Sequence, residues 1–206
     1  MFEHIARGLA AVRARIGEAA ARSGRQAADI RLIAVSKTYP IDAVRAAADA
    51  GQEDFGENRV QEALDKIEAA DRRVCWHLIG HLQSNKAKVV NGICELVHSL
   101  ASESAAQRLT VPALIEVNLS GEPSKSGVAP EELPALVAAY PDTRGLMTMP
   151  PAAADPEASR PYFRRLRELA AEHGLPELSM GTSQDYRVAV EEGATLIRVG
   201  SVLFGP

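Results

Sequence analysis

The most constraining feature of the sequence is a run of apolar and small residues that leads straight into a lysine. Residues 32–36 form the run, Lys37 follows it, and Pro40 closes it. A continuous apolar run of this length is typical of a strand buried on both faces, as in a parallel sheet. Because proline cannot donate to a sheet ladder, the strand must end near Thr38. The run therefore predicts a buried first strand with Lys37 at its carboxyl end.

Two interpretations of Lys37 are open at this point. Lysine is costly to bury and normally reaches for water or for a partner. A lysine held partly out of water, where strands end and ligands bind, loses its proton more readily and can form a Schiff base with a carbonyl. The alternative is a side chain that simply extends from the strand end into solvent. The run alone favours this plainer alternative, so the rest of the chain has to decide.

Seven more short strand-like segments follow, and stretches of helical or alanine-rich character separate them. The segments lie at 54–58, 76–80, 95–99, 113–118, 145–149, 178–181 and 196–200. Strict alternation of strand and helix predicts parallel βαβ units. Eight units in 206 residues predict one α/β domain over 1–206, a single (β/α)8 TIM barrel. A doubly wound open sheet is the alternative, because a count of strands does not show closure.

An extra helix is predicted before the first strand. Ile5, Leu9, Val12 and Ile16 recur at helical spacing within 3–22, with arginines between them. Further helices are predicted over 41–50, 60–67, 84–90, 102–109, 131–139, 156–173 and 185–192. Ser84 is the predicted N-cap of the helix that it begins.

Composition excludes several classes of function. The net charge of −4 gives no reason to expect a nucleic-acid partner, which usually requires a basic face. No apolar run approaches the roughly 18 residues that span a bilayer, and the charged N-terminal segment is unlike a signal peptide. Cys75 and Cys94 form no CxxC motif and are expected to be reduced. We therefore expect a cytoplasmic protein that binds neither nucleic acid nor membrane.

The loops after the last two strands carry glycine next to hydroxyl residues. In a barrel the active site is built from the loops that follow the strands, and the loops after strands seven and eight often hold a phosphate. The sequences there are Gly181-Thr182-Ser183 and Gly200-Ser201. Glycine lets backbone N–H groups approach an anion, and a hydroxyl adds a donor. Either loop alone is more simply an ordinary turn, but both together with Lys37 suggest pyridoxal 5′-phosphate (PLP).

Arg198 in the eighth strand points to the same cofactor. It alternates with Leu196 and Gly200, so the three residues share one face of the strand. If that face is the inner one, an arginine that cannot give up its charge lies near the phosphate loop and needs an acceptor. The pyridine nitrogen of PLP is such an acceptor. The alternative is an outward arginine that pairs with a carboxylate on a helix.

Eight stretches now identify a family. The chain resembles the pyridoxal phosphate homeostasis proteins, the YggS family of bacteria, which are single-domain relatives of the N-terminal barrel of alanine racemase. The matching stretches run in order from 34 to 205: Ala34–Thr38, Phe55–Asn58 with Val60–Glu62, Trp76–Gly80 with Leu82–Lys86, Val117–Asn118, Ser124–Gly127, Gly145–Met147, Leu178–Gly181, and Arg198–Gly200 with Phe204–Gly205. Each is weak alone, and eight in register are a strong match.

The resemblance implies a cofactor site and its residues. It implies a PLP aldimine on Lys37, with Arg198 at the pyridine nitrogen. It implies phosphate contacts from Ser183, Gly200 and Ser201, and it places Asn58 and Met147 along the cofactor. The family is described as binding PLP and maintaining the supply of this form of vitamin B6, with no catalytic turnover securely assigned. The implied partners are PLP itself and, as candidate recipients, PLP-dependent apoenzymes; we expect a monomer.

Two enzyme hypotheses stand beside this one. Alanine racemase carries a C-terminal β domain that supplies a second catalytic base across its dimer, whereas this sequence ends at Pro206, so two-base racemisation is not expected. An arginine at the pyridine nitrogen also leaves the ring a weak electron sink. A racemase-like PLP enzyme nevertheless remains the alternative function. A Schiff-base aldolase that uses Lys37 without a cofactor is the third hypothesis.

The sequence departs from the family pattern in three places. His81 stands where many relatives have proline, Thr182 stands where many have methionine, and neither is expected to touch the linkage to Lys37. The stretch 98–112 is shorter than usual, so the fourth helix of the barrel is expected to be stunted. The N-terminal helix is then expected to cover the last gap of the barrel.

Three weaker signals complete the sequence predictions. His77 and His81 have a four-residue spacing, but a metal site is not favoured, because they span a strand end and lack an evident third ligand. Glu57 and Glu116 could form a carboxylate pair for acid–base chemistry, although structural hydrogen bonding is the simpler expectation. Lys125 is expected near the mouth of the barrel, as a second amine, as a phosphate contact or, most simply, solvated.

Overall fold

A computed structural model describes residues 2–70, 73–122 and 125–205. They form a closed barrel of parallel strands in the order β1 to β8. The strands are β1 (Arg31–Val35), β2 (Asp54–Glu57), β3 (Cys75–Leu78), β4 (Leu96–Leu100), β5 (Ala113–Glu116), β6 (Thr143–Met147), β7 (Glu177–Ser179) and β8 (Leu196–Val199). Because β1 pairs with β8, with Arg31 opposite Leu196 and Ala34 opposite Val199, the TIM barrel is confirmed and the open sheet is wrong.

Helices surround the barrel. They are α1 (Glu3–Arg22), α2 (Ile41–Asp49), α3 (Val60–Ala69), α4 (Ala87–Val90), α5 (Glu103–Ala106), α6 (Leu133–Ala139), α7 (Arg160–Glu172), α8 (Tyr186–Glu191) and α9 (Ser201–Phe204). Short 3-10 turns precede three of them, at Ser84–Lys86, Pro130–Glu132 and Pro156–Ser159. Ser84 begins such a turn instead of capping a helix, so the predicted cap is wrong; Gln83 precedes the turn and makes no side-chain capping bond.

The N-terminal helix closes the barrel wall, as predicted. Helix α1 packs against α2 on one side and against α8 and α9 on the other. Its predicted apolar stripe faces inward, with Ile5, Leu9, Val12 and Ile16 all buried. Gly8 allows close packing, because a Cβ there would lie 3.2 Å from the carbonyl oxygen of Val202. The helix therefore covers the gap between the last and the first strand.

The flank after the fourth strand is thin, which confirms the expected stunted helix. Helix α5 is a single turn of four residues. Ser102 caps it by accepting a hydrogen bond from the N–H of Ala105 at 3.3 Å. Ala105 and Ala106 within this turn and Leu109 after it are all buried. One turn of helix therefore still covers the barrel wall.

The barrel interior has an apolar layer and a polar one. Ile33, Leu96, Leu114, Met147 and Leu196 form the apolar cluster. His77, His98, Ser179 and Arg198 are buried and hydrogen-bonded to one another across the strands. The predicted inward direction of Arg198 is therefore confirmed, and the outward alternative is wrong. No helix within the described ranges is long and apolar enough to cross a membrane.

Candidate functional site

A cavity of about 520 Å³ opens at the carboxyl ends of the strands. Six of the residues singled out from the sequence line it: Lys37, Asn58, Ser183, Arg198, Gly200 and Ser201. The remaining lining residues are Val35, Ile79, Gly80, His81, Glu116, Ser126, Met149, Thr182 and Gln184. Its volume lies in the range of small-molecule and cofactor sites. The strand-end residues therefore converge on one concave site, as the barrel architecture predicts.

Lys37 lies where the first strand stops. The ladder ends at Val35, and the N–H of Ser36 extends it by one bond to the carbonyl of Gly56, at 3.1 Å. Ser36 is fully buried, whereas the Lys37 side chain is exposed toward the cavity. Of the two interpretations of Lys37, this exposure fits the plainer one, a side chain that extends from the strand end into solvent. The position is confirmed, and the amine is accessible from solvent.

The backbone beside Lys37 is strained. Thr38 has a φ of 67°, which is uncommon for a residue other than glycine. Its N–H donates to a carboxylate oxygen of Glu62 at 2.5 Å, and this bond ties the turn to α3. The direction of the chain at Lys37 is consequently set by contacts outside its own strand.

A buried lysine organises these contacts. The amine of Lys66 in α3 donates to the carbonyl of Ser36 at 2.6 Å, to Glu57 at 2.6 Å and to Glu62 at 2.9 Å. The hydroxyl of Ser36 also donates to Glu57, at 2.6 Å. All three ammonium hydrogens thus have acceptors, and the cluster Ser36–Glu57–Glu62–Lys66 holds both sides of Lys37.

Glu57 belongs to this cluster and not to the cavity. Burial raises the pKa of its carboxyl, although the hydrogen bonds from Lys66 and Ser36 oppose the rise. Within the described ranges its second oxygen, Oε2, is buried without a hydrogen-bond partner. Glu116 lines the cavity instead. The two carboxylates therefore do not form an acid–base pair, and structural hydrogen bonding is confirmed as the role of Glu57.

The two glycine–hydroxyl loops meet at one side of the cavity. The N–H of Gly200 donates to the hydroxyl oxygen of Ser183 at 3.2 Å, which joins the loops after β7 and β8. Gly200 is tightly placed, since a Cβ there would lie 3.0 Å from the carbonyl oxygen of Val35. Ser201 begins α9, and the first N–H groups of a helix have no acceptor within it. This side of the cavity is therefore lined with hydrogen-bond donors.

The loop after β7 is shaped by a glycine and an aspartate. Gly181 has a φ of +91°, and a Cβ there would lie 2.5 Å from the Cβ of Ala189. The buried carboxylate of Asp185 accepts from the N–H of Thr182 at 2.7 Å and from its hydroxyl at 3.0 Å. Ser159 donates to the other oxygen of Asp185 at 2.8 Å. The loop is therefore fixed before any ligand enters.

Arg198 closes the inner end of the cavity. It is only 4% exposed. Its guanidinium donates to the hydroxyl of Ser179, to the carbonyl of Thr148 at 3.1 Å and to the sulfur of Met149 at 2.9 Å. Burial lowers the pKa of Arg198 to about 10, although the negative charges of Glu116 and Asp185 oppose the shift. Arg198 therefore stays a cation at neutral pH and can only donate hydrogen bonds to a ligand.

One predicted cofactor residue, Met147, does not line the cavity. It belongs to the apolar layer of the barrel, and Met149, which follows β6, lines the cavity instead. His81 and Thr182, which were not expected to touch the linkage to Lys37, both line the cavity. Asn58 is half-buried in the wall.

The segment after β5 brings Lys125 to the edge of the cavity. Its amine donates to the carbonyl of Met149 at 3.4 Å and lies 3.6 Å from a carboxylate oxygen of Glu122. The predicted position near the mouth is confirmed, and Lys125 contacts protein groups there. Ser124, which belongs to the matching stretch 124–127, lies outside the described residues.

The two histidines at four-residue spacing point to different places. His77 contacts Asp54 and His98 inside the barrel, at 3.0 Å each, whereas His81 lines the cavity. Across 2–70, 73–122 and 125–205, no group of three or more His, Cys, Asp or Glu side chains is arranged to hold a metal ion.

Sequence reasoning missed Lys66 and Glu62. Their four-residue spacing places both on one face of α3, and this was the available signal. This spacing usually indicates an ion pair on the protein surface, and such a pair contributes little to the free energy of unfolding. Only the fold shows that Lys66 is buried against the strand that carries Glu57. Sequence reasoning also missed the hydrogen bonds inside the barrel that hold Ser179 and Arg198 in place.

Comparisons with known proteins agree with this geometry. A family model described as the alanine racemase N-terminal domain matches residues 8–206. The pyridoxal phosphate homeostasis protein of Pseudomonas aeruginosa is 48% identical over 218 aligned positions, which cover 98% of this chain and 95% of that protein. That of Aquifex aeolicus is 44% identical over 96% of each chain.

A solved structure extends the likeness to three dimensions. PipY of Synechococcus elongatus, solved with PLP bound, has a TM-score of 0.83 and 37% identity, over 98% of this chain and 100% of that chain. The two proteins therefore share the same fold over nearly their whole length.

Proposed function

We propose that the chain, which belongs to the pyridoxal phosphate homeostasis protein family, binds PLP in the strand-end cavity and holds it covalently through Lys37. One observation carries the proposal: an accessible amine, a pair of donor-lined loops and a buried arginine all face the same cavity. These are the three kinds of group that an aldehyde, a phosphate and a pyridine nitrogen require. PipY, at 37% identity over almost the whole chain, is a structural relative with PLP bound.

The residues present fit this cofactor. When bound, PLP supplies an aldehyde carbon that forms a Schiff base with an amine, and a ring that withdraws electrons. Ser183, Gly200 and Ser201 offer hydroxyl and backbone donors for the phosphate. Gly200 leaves little room for a side chain, because a Cβ would lie 3.0 Å from the carbonyl oxygen of Val35. A backbone N–H can approach an anion closely where no side chain intervenes.

Arg198 supports a holding role over a catalytic one. A guanidinium donates hydrogen bonds and accepts none, so opposite the ring nitrogen it keeps that nitrogen unprotonated. An unprotonated ring is a weak electron sink. The protein thus offers tight, oriented binding with little activation. We propose that it maintains the supply of PLP, with PLP-dependent apoenzymes as recipients.

The cavity remains open at the strand ends, and this openness supports exchange of the cofactor. The Lys37 side chain is exposed, so a competing amine from solvent or from a recipient protein can reach the same position. We further propose that the protein acts as a monomer in the cytoplasm. Cys75 and Cys94 are free thiols, which supports a reducing compartment.

A racemase-like activity is the alternative, and two cavity residues favour testing it. Racemisation needs a proton-transfer group on each face of the reacting carbon. Besides Lys37, His81 and Glu116 line the cavity and can exchange protons. Burial raises the pKa of Glu116, while the positive charge of Arg198 opposes the rise. A second base is thus chemically available in the cavity.

Titration with PLP, followed by the absorbance of the bound cofactor, tests the proposal. The wild-type protein is expected to develop a Schiff-base band that competing amines remove, and Lys37→Ala is expected to lack it. Lys125→Ala is the matched control and is expected to behave as wild type. Incubation of the loaded protein with single enantiomers of amino acids, read by chiral chromatography, is expected to show no interconversion. Turnover that Glu116→Gln or His81→Gln abolishes would establish the racemase instead.

A further inference from the structure

A continuous line of hydrogen bonds crosses the barrel interior to Arg198. At the amino end of the strands, the Arg31 guanidinium donates to Asp54 at 2.5 Å. The same Asp54 oxygen lies 3.0 Å from Nε2 of His77. From there the line runs through Nδ1 of His77 to Nε2 of His98 at 3.0 Å, and through Nδ1 of His98 to the Ser179 hydroxyl at 2.7 Å, which contacts Arg198. We call Asp54, His77, His98 and Ser179 the interior line.

The groups at the two ends of the interior line, Asp54 and Arg198, indicate which atom donates the hydrogen in each bond between them. Asp54 accepts only, so Nε2 of His77 donates to it, and in a neutral His77 the other ring nitrogen, Nδ1, is the acceptor. Nε2 of His98 then donates to His77, and its Nδ1 accepts from the hydroxyl of Ser179. The oxygen of Ser179 is left as the acceptor for Arg198. In this arrangement each imidazole carries one proton, on Nε2, and every hydrogen of the interior line has an acceptor.

The surroundings support a neutral imidazole at His98. The charged and titratable groups that face this interior are Arg31, Asp54, His77, His98, Glu116, Glu177 and Arg198. His98 is fully buried, and burial together with the positive charge of the nearby Arg198 lowers its pKa well below the ordinary value of 6.5. A cation at His98 would also lie beside the guanidinium of Arg198. The directional arrangement is therefore the stable one near neutral pH.

We propose that the interior line orients Arg198 toward the pyridine nitrogen of PLP. Ser179 is the positioning residue, because its hydroxyl joins the hydrogen bonds of the line to the guanidinium of Arg198. Because the hydroxyl hydrogen of Ser179 is committed to His98, its oxygen faces one Nη of Arg198. The other Nη is held by the carbonyl of Thr148 at 3.1 Å. With both Nη groups anchored, the guanidinium plane is fixed before the cofactor arrives. This inference rests on the proposed function, since it assigns the orientation of a residue in the same site.

Ser179 is separable from the cavity itself. It is fully buried and does not line the cavity, so it would not touch the cofactor. The line begins at Arg31 and Asp54, which line a groove of about 410 Å³ at the opposite end of the barrel. A change at Ser179 should therefore alter how Arg198 presents its donors while leaving Lys37 and the phosphate loops in place.

The first test uses the wild-type protein and needs no cofactor. Nitrogen-15 NMR of the histidine rings reports the tautomer and charge of each imidazole. We expect His77 and His98 to be neutral, with the proton on Nε2, in protein with or without added PLP. A His98 that is cationic, or protonated on Nδ1, would overturn the direction of the line and the proposal with it.

The second test compares Ser179→Ala with Ser179→Thr, which keeps the hydroxyl. We expect Ser179→Ala to weaken binding of both PLP and pyridoxal about tenfold, as expected for loss of an oriented, charge-assisted contact. The absorbance band of the bound cofactor is expected to shift in Ser179→Ala and to return in Ser179→Thr. Thr143→Ala is the control and should bind both compounds as wild type does, because this hydroxyl donates to the carbonyl of Tyr140 at the amino end of β6, outside the line and the cavity.

The outcomes separate this inference from the proposed function. Unchanged affinity and absorbance in Ser179→Ala would overturn the positioning role even though PLP binds. If Ser179→Ala does not fold, Ser179→Cys takes its place, because a thiol is a weak donor and acceptor, and wild-type behaviour in that variant would overturn the role equally. If the wild-type protein binds no PLP, the proposed function fails, while the tautomer measurement still decides whether the line has the stated direction.

Discussion

The amide of Gly200 donates its hydrogen to the hydroxyl oxygen of Ser183 across 3.2 Å, which joins the loops that follow the last two strands. Because the Ser183 oxygen accepts this bond, its own hydrogen is free to point into the cavity. The bond thus holds the Ser183 hydroxyl, a hydrogen-bond donor, beside Gly200 at the end of β8. This relationship gives the proposed phosphate subsite its shape.

The subsite predicts a phosphate-specific effect of Ser183→Ala. Removal of the hydroxyl should weaken binding of PLP about tenfold, the usual consequence of losing one hydrogen bond to a charged group. Binding of pyridoxal, which lacks the phosphate, should be almost unchanged. Parallel titrations with the two compounds, followed by absorbance, measure the difference. Equal losses for both would place the phosphate elsewhere.

Gly181 should tolerate alanine far less well than Gly174. Both have positive φ, +91° and +65°, but a Cβ at Gly181 would lie 2.5 Å from the Cβ of Ala189, whereas a Cβ at Gly174 meets no atom within 4 Å. We expect Gly181→Ala to lower the free energy of unfolding by about 3 kcal/mol, from strain and overpacking together. Gly174→Ala should lower it by about 1 kcal/mol. Urea denaturation of the two variants checks the ranking, and similar losses would contradict it.

Lys66→Met should destabilise the protein by about 3 kcal/mol. The substitution leaves the Glu57 carboxylate buried without its cation, and breaking a buried ion pair at one partner is costly. Chemical denaturation gives the change in the free energy of unfolding. Adding Glu57→Gln to Lys66→Met should recover a large part of the loss, because the uncompensated charge is then gone. Lys88→Met, on the exposed face of α4, is the control and should have little effect.

Glu116 should make stability fall as pH rises. Burial raises the pKa of its carboxyl above the ordinary value of 4.5, so the folded protein binds this proton more tightly than the unfolded chain does. The stabilising contribution is complete below pH 4.5 and is lost as the pH rises through the raised folded pKa. Glu116→Gln removes this dependence.

Unfolding curves at several pH values measure the effect without added PLP. The free energy of unfolding of Glu116→Gln, minus that of wild type, should grow as the pH rises from 4.5 and then level off. Glu131→Gln removes a charge from an exposed position and is the matched control. A constant difference across this range would show that Glu116 titrates alike in the folded and unfolded protein.

The positions of Lys37, Ser183, Gly200 and Ser201 followed from the sequence because a barrel brings all its strand ends to one face. Finding which residues follow each strand was therefore enough to gather them. Depth along a strand was harder to predict. Met147 is the last residue of β6 and Met149 follows the strand, and only the fold shows that Met149 lines the cavity while Met147 lies in the apolar layer.

The direction of Glu57 could not be predicted for a different reason. Residues of β2 are buried on both faces, so no apolar–polar alternation marks which side chains point inward. The neighbouring Gly56 has no side chain to indicate the inner face. The buried position of Lys66 depends on the packing of α3 against this strand, which sequence spacing does not report. The exposure of Lys37 likewise depends on the turn at Thr38.

The most direct test of covalent PLP binding is mass spectrometry after borohydride reduction of the PLP-treated protein. Reduction converts a Schiff base into a stable amine that survives digestion. We expect a mass increase equal to reduced PLP on the peptide that carries Lys37, its loss in Lys37→Ala, and its persistence in Lys125→Ala. An unmodified Lys37 peptide after incubation with excess PLP, or modification spread over exposed lysines, would contradict the proposed function.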